Sequence, residues 1–92
     1  MSADVVRRRL VVSGRVQGVF FRDSTRAKAE AEGVSGWVAN RSDGSVEVVL
    51  EGPPAAVEEV AAYSRRGPER ARVEHVEERE EPPEGLDGFA IR

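Results

Sequence analysis

A chain of 92 residues with 14 basic and 17 acidic side chains, a net charge of −3 and no cysteine has room for one core. It excludes disulfides, thiol nucleophiles and cysteine-type zinc sites together. The acidic side chains crowd near the C-terminus, at Glu77, Glu78, Glu80, Glu81 and Glu84, which argues against a general nucleic-acid binder.

Lys28 is the one lysine beside 13 arginines, a bias that GC-rich coding DNA produces without any demand for guanidinium chemistry. Residues 1–6 read as a loose leader with no apolar run long enough for a signal segment or a membrane span, so a cytoplasmic location is expected. Arg8, Leu10 and Val12 then alternate with Arg7, Arg9 and Val11, which predicts a strand over 7–13 that stops at Gly14. The stretch from Arg15 to Phe21 has no clean period and reads as a loop. From Phe20 onward, small and apolar side chains at Phe20, Ser24, Ala27, Ala31 and Val34 predict a helix over 22–32 with an alanine-rich seam, ended by Gly33 as a left-handed cap.

Trp37, Val38 and Ala39 lead to Asn40, and Ser42-Asp43-Gly44 supplies turn chemistry before Val46, Val48 and Leu50 alternate with Glu47, Val49 and Glu51. These two strands are expected to form a hairpin. Pro53 and Pro54 open a second helix over 54–65, with Val57, Val60, Ala61 and Ser64 on one face and Gly67-Pro68 as its stop. Val73 and Val76 mark a fourth strand over 71–78, where a spacing of three calls for a bulge or an edge position. Residues 80–85 read as a solvated connection, followed by a short terminal strand at Phe89, Ala90 and Ile91. The order βαββαβ specifies one α+β domain over 1–92, a ferredoxin-like sandwich with two helices on one face of an antiparallel sheet. That fold hosts many unrelated activities, so the site must decide the function.

Between Gly14 and Arg22 a strand ends, a loop bracketed by Gly14 and Gly18 turns sharply, and a helix starts with an arginine in its first turn. Such a loop can aim successive N–H groups inward, and the positive end of the helix adds to the same field, which makes a cradle for a tetrahedral anion. Arg22 adds a full charge in a fork that matches two phosphate oxygens. Short glycine-bracketed loops are common, and the loop alone fits an ordinary turn with an exposed arginine equally well.

Two motifs decide between these readings. Val12-Ser13-Gly14-Arg15-Val16-Gln17-Gly18-Val19-Phe20-Phe21-Arg22 resembles the first acylphosphatase motif, and Gly36-Trp37-Val38-Ala39-Asn40, followed by Gly44, Val46 and Gly52, is similar to the second. With the element order, the resemblance covers roughly residues 7–92. It implies that Arg22 binds the phosphoryl group, that the amides of Arg15, Val16, Gln17, Gly18, Val19 and Phe20 line the cradle, and that Asn40 holds the attacking water. Gln17 is assigned a loop-shaping role. The last strand, ending close before Arg92, is expected to be shorter than in relatives that extend further. The implied reaction is metal-free hydrolysis of a small-molecule acyl phosphate to a carboxylate and inorganic phosphate, with phosphate or other oxyanions as inhibitors. No cofactor, nucleic acid, membrane or partner chain is called for, and a monomer is the default.

His75 reads as an ordinary strand residue, Trp37, Phe20 and Phe21 as core, and the glutamates of 77–84 as a solvated charge run. Asp23 is expected to face away from Arg22. An RNA-binding module of this topology would need aromatic side chains on the open sheet face, where Glu47, Val49 and Glu51 are expected instead. A catalytically silent phosphate-binding domain is the nearer alternative, and the joint presence of Arg22 and Asn40 counts against it.

Overall fold

Leu10 and Val12 are fully buried while Arg9 and Val11 beside them are only partly covered, the period-two burial of a strand with one face on a core. The computed structural model describes residues 4–92 and orders them as β1 (Val6–Arg15), α1 (Phe21–Glu32), β2 (Ser35–Asn40), β3 (Val46–Gly52), α2 (Pro54–Arg66), β4 (Arg72–Glu81) and β5 (Phe89–Ile91). The strands form one sheet in the order β4-β1-β3-β2-β5. Register aligns Leu10 with Val48 and Val12 with Val46, and Val38 with Val48, so one face becomes a continuous valine and leucine layer beneath the helices.

The first four strands are antiparallel, as expected, while β5 adds to β2 in parallel with Val38 beside Ile91. The long connection after β4 crosses to the far edge of the sheet, a reach no tight hairpin provides. It is fastened on the way: the Glu51 carboxylate accepts from the N–H groups of Glu84, Gly85 and Leu86 at 2.8, 3.1 and 3.0 Å and from Arg7 at 2.8 Å.

Several expected boundaries move for identifiable reasons. Val6 already pairs with Gly52, so the strand starts inside the expected leader; residues 1–3 of that leader lie outside the described residues. The strand runs through Gly14 to Arg15. Opposite it, Ser13 pairs with His75 and Gly14 with Val73, which leaves Glu74 as the extra residue of a bulge and returns Val73 and Val76 to the core side. A Cβ on Gly14 would stand 2.3 Å from the Arg72 carbonyl, which is why glycine occupies the crossing.

Helix α2 buries Val57, Val60, Ala61 and Ser64, the expected face. Helix α1 ends at Gly33 in the expected left-handed cap, with the Val34 N–H donating to the Ala29 carbonyl at 2.8 Å. Its buried face is shifted by one residue from the expected seam: Phe21, Thr25 and Ala29 point inward, while Ala27 and Ala31 are exposed. Phe20 is not in the helix at all. It takes a left-handed conformation at the N-cap, which hands the core position to Phe21.

The open face of the sheet also differs from expectation. Val49 and Glu51 are buried, covered by a lattice in which Arg7 bridges Glu51 and Glu81, and Arg9 bridges Glu81 and Glu47. Trp37 is half-buried rather than core, with the Arg92 guanidinium 4.4 Å and that of Arg9 5.6 Å from its ring centre. Glu80 and Glu81 belong to β4, and the glutamates expected to be merely solvated include Glu78, paired with Arg8 and Arg65, and Glu81. His75 is an exposed residue of β4 beside Ser13.

Candidate active site

The segment between β1 and α1 is held from below. Val16 and Val19 are buried in the core, and the residues between and after them are lifted toward solvent. Gly18 stands at φ 73° with nothing within 4 Å of where a Cβ would be, so its conformation, not crowding, calls for glycine. Phe20 follows at φ 65° and ψ 24°. No side chain caps the start of α1, whose first turn closes through the Ser24 N–H to the Phe20 carbonyl at 3.0 Å. Among the described residues, no protein acceptor pairs with the N–H groups of Val16 to Phe20. An unsatisfied run of donors beside an uncapped helix N-terminus is an anion-binding geometry.

The other side of the site comes from the β2–β3 hairpin. Asn40 is the last residue of β2, paired with Val46, and the turn beyond it closes through the Arg41 N–H to the Ser45 carbonyl at 2.8 Å. Asp43 accepts from the Ser45 hydroxyl and N–H, and these bonds hold its carboxyl below the usual range. The Gln17 side-chain amide donates to the carbonyls of Arg41 at 2.8 Å and Ser45 at 2.9 Å. The expected loop-shaping side chain therefore also ties the loop to the hairpin that carries Asn40.

Arg22 and Asn40 line one cleft of about 350 Å³, together with Asp23, Val16, Gly18 and Phe20. That is at the lower end of the roughly 300–1,000 Å³ typical of small-molecule sites. Arg22, Asp23 and Asn40 are all exposed. Among the described residues, Arg22 has no carboxylate within ion-pairing distance, whereas Arg7, Arg8, Arg9 and Arg65 all do. Arg15, Arg26, Arg66, Arg70, Arg72 and Arg92 are likewise without an ion pair among the described residues, and what distinguishes Arg22 from them is its place on the cleft wall opposite the hairpin that carries Asn40. No group of three or more His, Cys, Asp or Glu side chains among the described residues is placed to hold a metal ion.

Of the loop positions singled out in the sequence, Val16, Gly18 and Phe20 reach the cleft wall. Arg15 is the last residue of β1, paired with Arg72; Val19 is a core anchor; Gln17 points to the hairpin. Asp23, expected to face away, lines the cleft beside Arg22. Phe20, expected in the core, is 65 % exposed at the cleft, because the left-handed turn swings it out of the helix face. Ile91 completes the apolar wall and was not anticipated. Nothing in a three-residue strand reveals which edge it joins, and the parallel pairing to β2 is what brings Ile91 here.

The family model described as Acylphosphatase matches residues 8–91. The acylphosphatase of Rubrobacter xylanophilus is 59 % identical over 87 residues, covering 94 % of this chain and 79 % of that protein. That of Haloarcula marismortui is 52 % identical, covering 94 % of both. The solved structure of an acylphosphatase from Coxiella burnetii superposes with a TM-score of 0.91 at 38 % identity, over 97 % of this chain and 94 % of that one. A match across nearly the whole sequence, relatives above half identity and a shared fold agree: the chain belongs to the acylphosphatase family.

Proposed function

We propose that Arg22, the loop amides from Arg15 to Phe20 and Asn40 together carry hydrolysis of the carboxyl-phosphate bond, releasing a carboxylate and inorganic phosphate. The observation that carries this reading is the meeting of Arg22 and Asn40 in one cleft beside a run of unpartnered amides. Arg22 grips two phosphoryl oxygens through its fork, and the amides, with Arg15 at their strand-side edge, hold the rest. Asn40 orients a water for in-line attack on phosphorus.

These few groups suffice because the leaving group is undemanding. A carboxylate with a conjugate acid near pKa ~4 departs without a general acid. Phosphoryl transfer through a loose transition state asks chiefly for positioning and charge stabilisation, which fixed donors supply without a covalent intermediate. A non-bridging oxygen of the substrate phosphate takes the water's proton in this reading: no histidine lines the cleft, and its one carboxylate, Asp23, neighbours the phosphate-binding Arg22 rather than the water-holding Asn40. The reading has the chain act alone in the cytoplasm on a small acyl phosphate, with inorganic phosphate as product and inhibitor.

Hydrolysis of benzoyl phosphate in ¹⁸O-labelled water tests the direction of attack. Label recovered in phosphate supports it, and label recovered in benzoate contradicts it.

A further inference from the structure

Phe20 is the large apolar side chain most out of place in this molecule. It is 65 % exposed, and it is the one residue other than glycine with a positive φ among the described residues. A bulky aromatic in the left-handed region is strained, and strain of this kind persists where surroundings impose it, often at functional sites. The ring stands outside the core, where Phe21 fills the position next to it.

The ring lines the cleft that Arg22 and Asn40 share, and Ile91 of β5 is the other partly exposed apolar side chain there. The polar groups of the cleft are accounted for by the phosphoryl group and the water. What remains for the acyl portion is the apolar wall, flanked by the carboxylate of Asp23.

We propose that Phe20 and Ile91 form an acyl-recognition wall that favours acyl phosphates with an aromatic or branched apolar acyl group. This rests on the hydrolytic reading of the cleft given above. An aromatic ring gains from stacking and apolar burial against Phe20, whereas an acetyl group offers too little surface to do so. A free carboxylate at the far end of the acyl chain is disfavoured by like charge at Asp23.

The test is the ratio of kcat/KM for benzoyl phosphate to that for acetyl phosphate, measured in the full chain and in Phe20→Asn, Phe20→Tyr and Ile91→Thr. Asparagine tolerates the left-handed conformation, so the backbone of the loop is kept while the ring is lost. Acetyl phosphate serves as the internal reference for any general damage to the loop. The ratio is expected to fall about tenfold in Phe20→Asn, to fall less in Ile91→Thr and to stay near wild type in Phe20→Tyr. A ratio within about twofold of wild type in Phe20→Asn overturns the acyl wall while leaving the hydrolytic reading intact. Failure of folded wild-type protein to hydrolyse either substrate overturns both.

Discussion

The Gln17 side-chain amide donates to the main-chain carbonyl of Arg41 at 2.8 Å, joining the loop ahead of α1 to the residue immediately after Asn40. The loop wall and the Asn40 wall of the cleft are therefore linked by one side chain rather than only through the sheet. Gln17→Leu removes this bond and the one to Ser45, and a net cost of about 0.5–1.5 kcal/mol for each is expected in thermal unfolding. Turnover of benzoyl phosphate should fall more steeply, by about tenfold or more, because attack depends on the relative placement of the two sides. A stability loss with unchanged kcat would show that the link only holds the loop.

Glu51 and Arg7 form the most deeply buried ion pair, at 2.8 Å with 2 % and 4 % exposure. Burial opposes ionisation of Glu51, but the N–H of Glu84, the Arg7 guanidinium and the N–H groups of Leu86 and Gly85 outweigh it, so the carboxyl sits below its usual range. Glu51→Ala leaves three loop amides without their acceptor and Arg7 with Glu81 as its remaining hydrogen-bonded carboxylate, and a destabilisation of at least about 3 kcal/mol is expected in urea unfolding. Arg7→Met combined with Glu51→Met should recover part of that loss, since an apolar pair leaves no buried charge.

Acid should loosen the arginine–glutamate lattice in a defined window. Hydrogen bonds from Arg65 and Arg8 bring Glu58 down to about 2, and those from Arg9 and Arg7 bring Glu81 down to about 2, against the usual 4.5. A lowered folded-state pKa means that the contribution is complete above pH 4.5 and fades as pH falls toward 2. The urea midpoint should drop through that interval, and the drop should be shallower in Arg65→Gln, which already lacks one partner of Glu58.

Much of this was legible in the sequence, and the exceptions share a cause. Period-two burial at Leu10 and Val12, the α2 face from Val57 to Ser64 and the Gly33 cap are set by local pattern, and each formed as read. Arg22 and Asn40 are marked in the sequence by the two motifs that resemble those of acylphosphatases, and the fold brings both to one cleft. Phe20 and Phe21 exchanged roles because a single left-handed residue resets the helical phase, and no periodicity reports such a turn. Glu78 and Glu81 looked solvated because their arginine partners lie on other elements, more than a dozen residues away for Arg65 and over seventy for Arg7. Ile91 reaches the cleft through the parallel pairing of β5 with β2, which a strand of three residues does not announce.

Gly36 marks where β2 and β3 touch. At φ 142°, a Cβ there would lie 1.8 Å from the Val49 carbonyl, a contact only a backbone shift can relieve. Gly36→Ala should cost at least about 1–3 kcal/mol, whereas Gly18→Ala, at φ 73° in open space, carries only the left-handed penalty of roughly 1–2 kcal/mol. Melting curves of the two variants should separate accordingly.

The measurement closest to the central claim is the rate of benzoyl phosphate hydrolysis by the purified chain in excess chelator, beside Arg22→Gln and Asn40→Ala. Rapid wild-type turnover is expected, with a loss of about 10²–10³ in Asn40→Ala and at least as much in Arg22→Gln, and with phosphate inhibition surviving only in Asn40→Ala. Wild-type turnover abolished by chelator, or kept by folded Arg22→Gln and Asn40→Ala, would contradict the account.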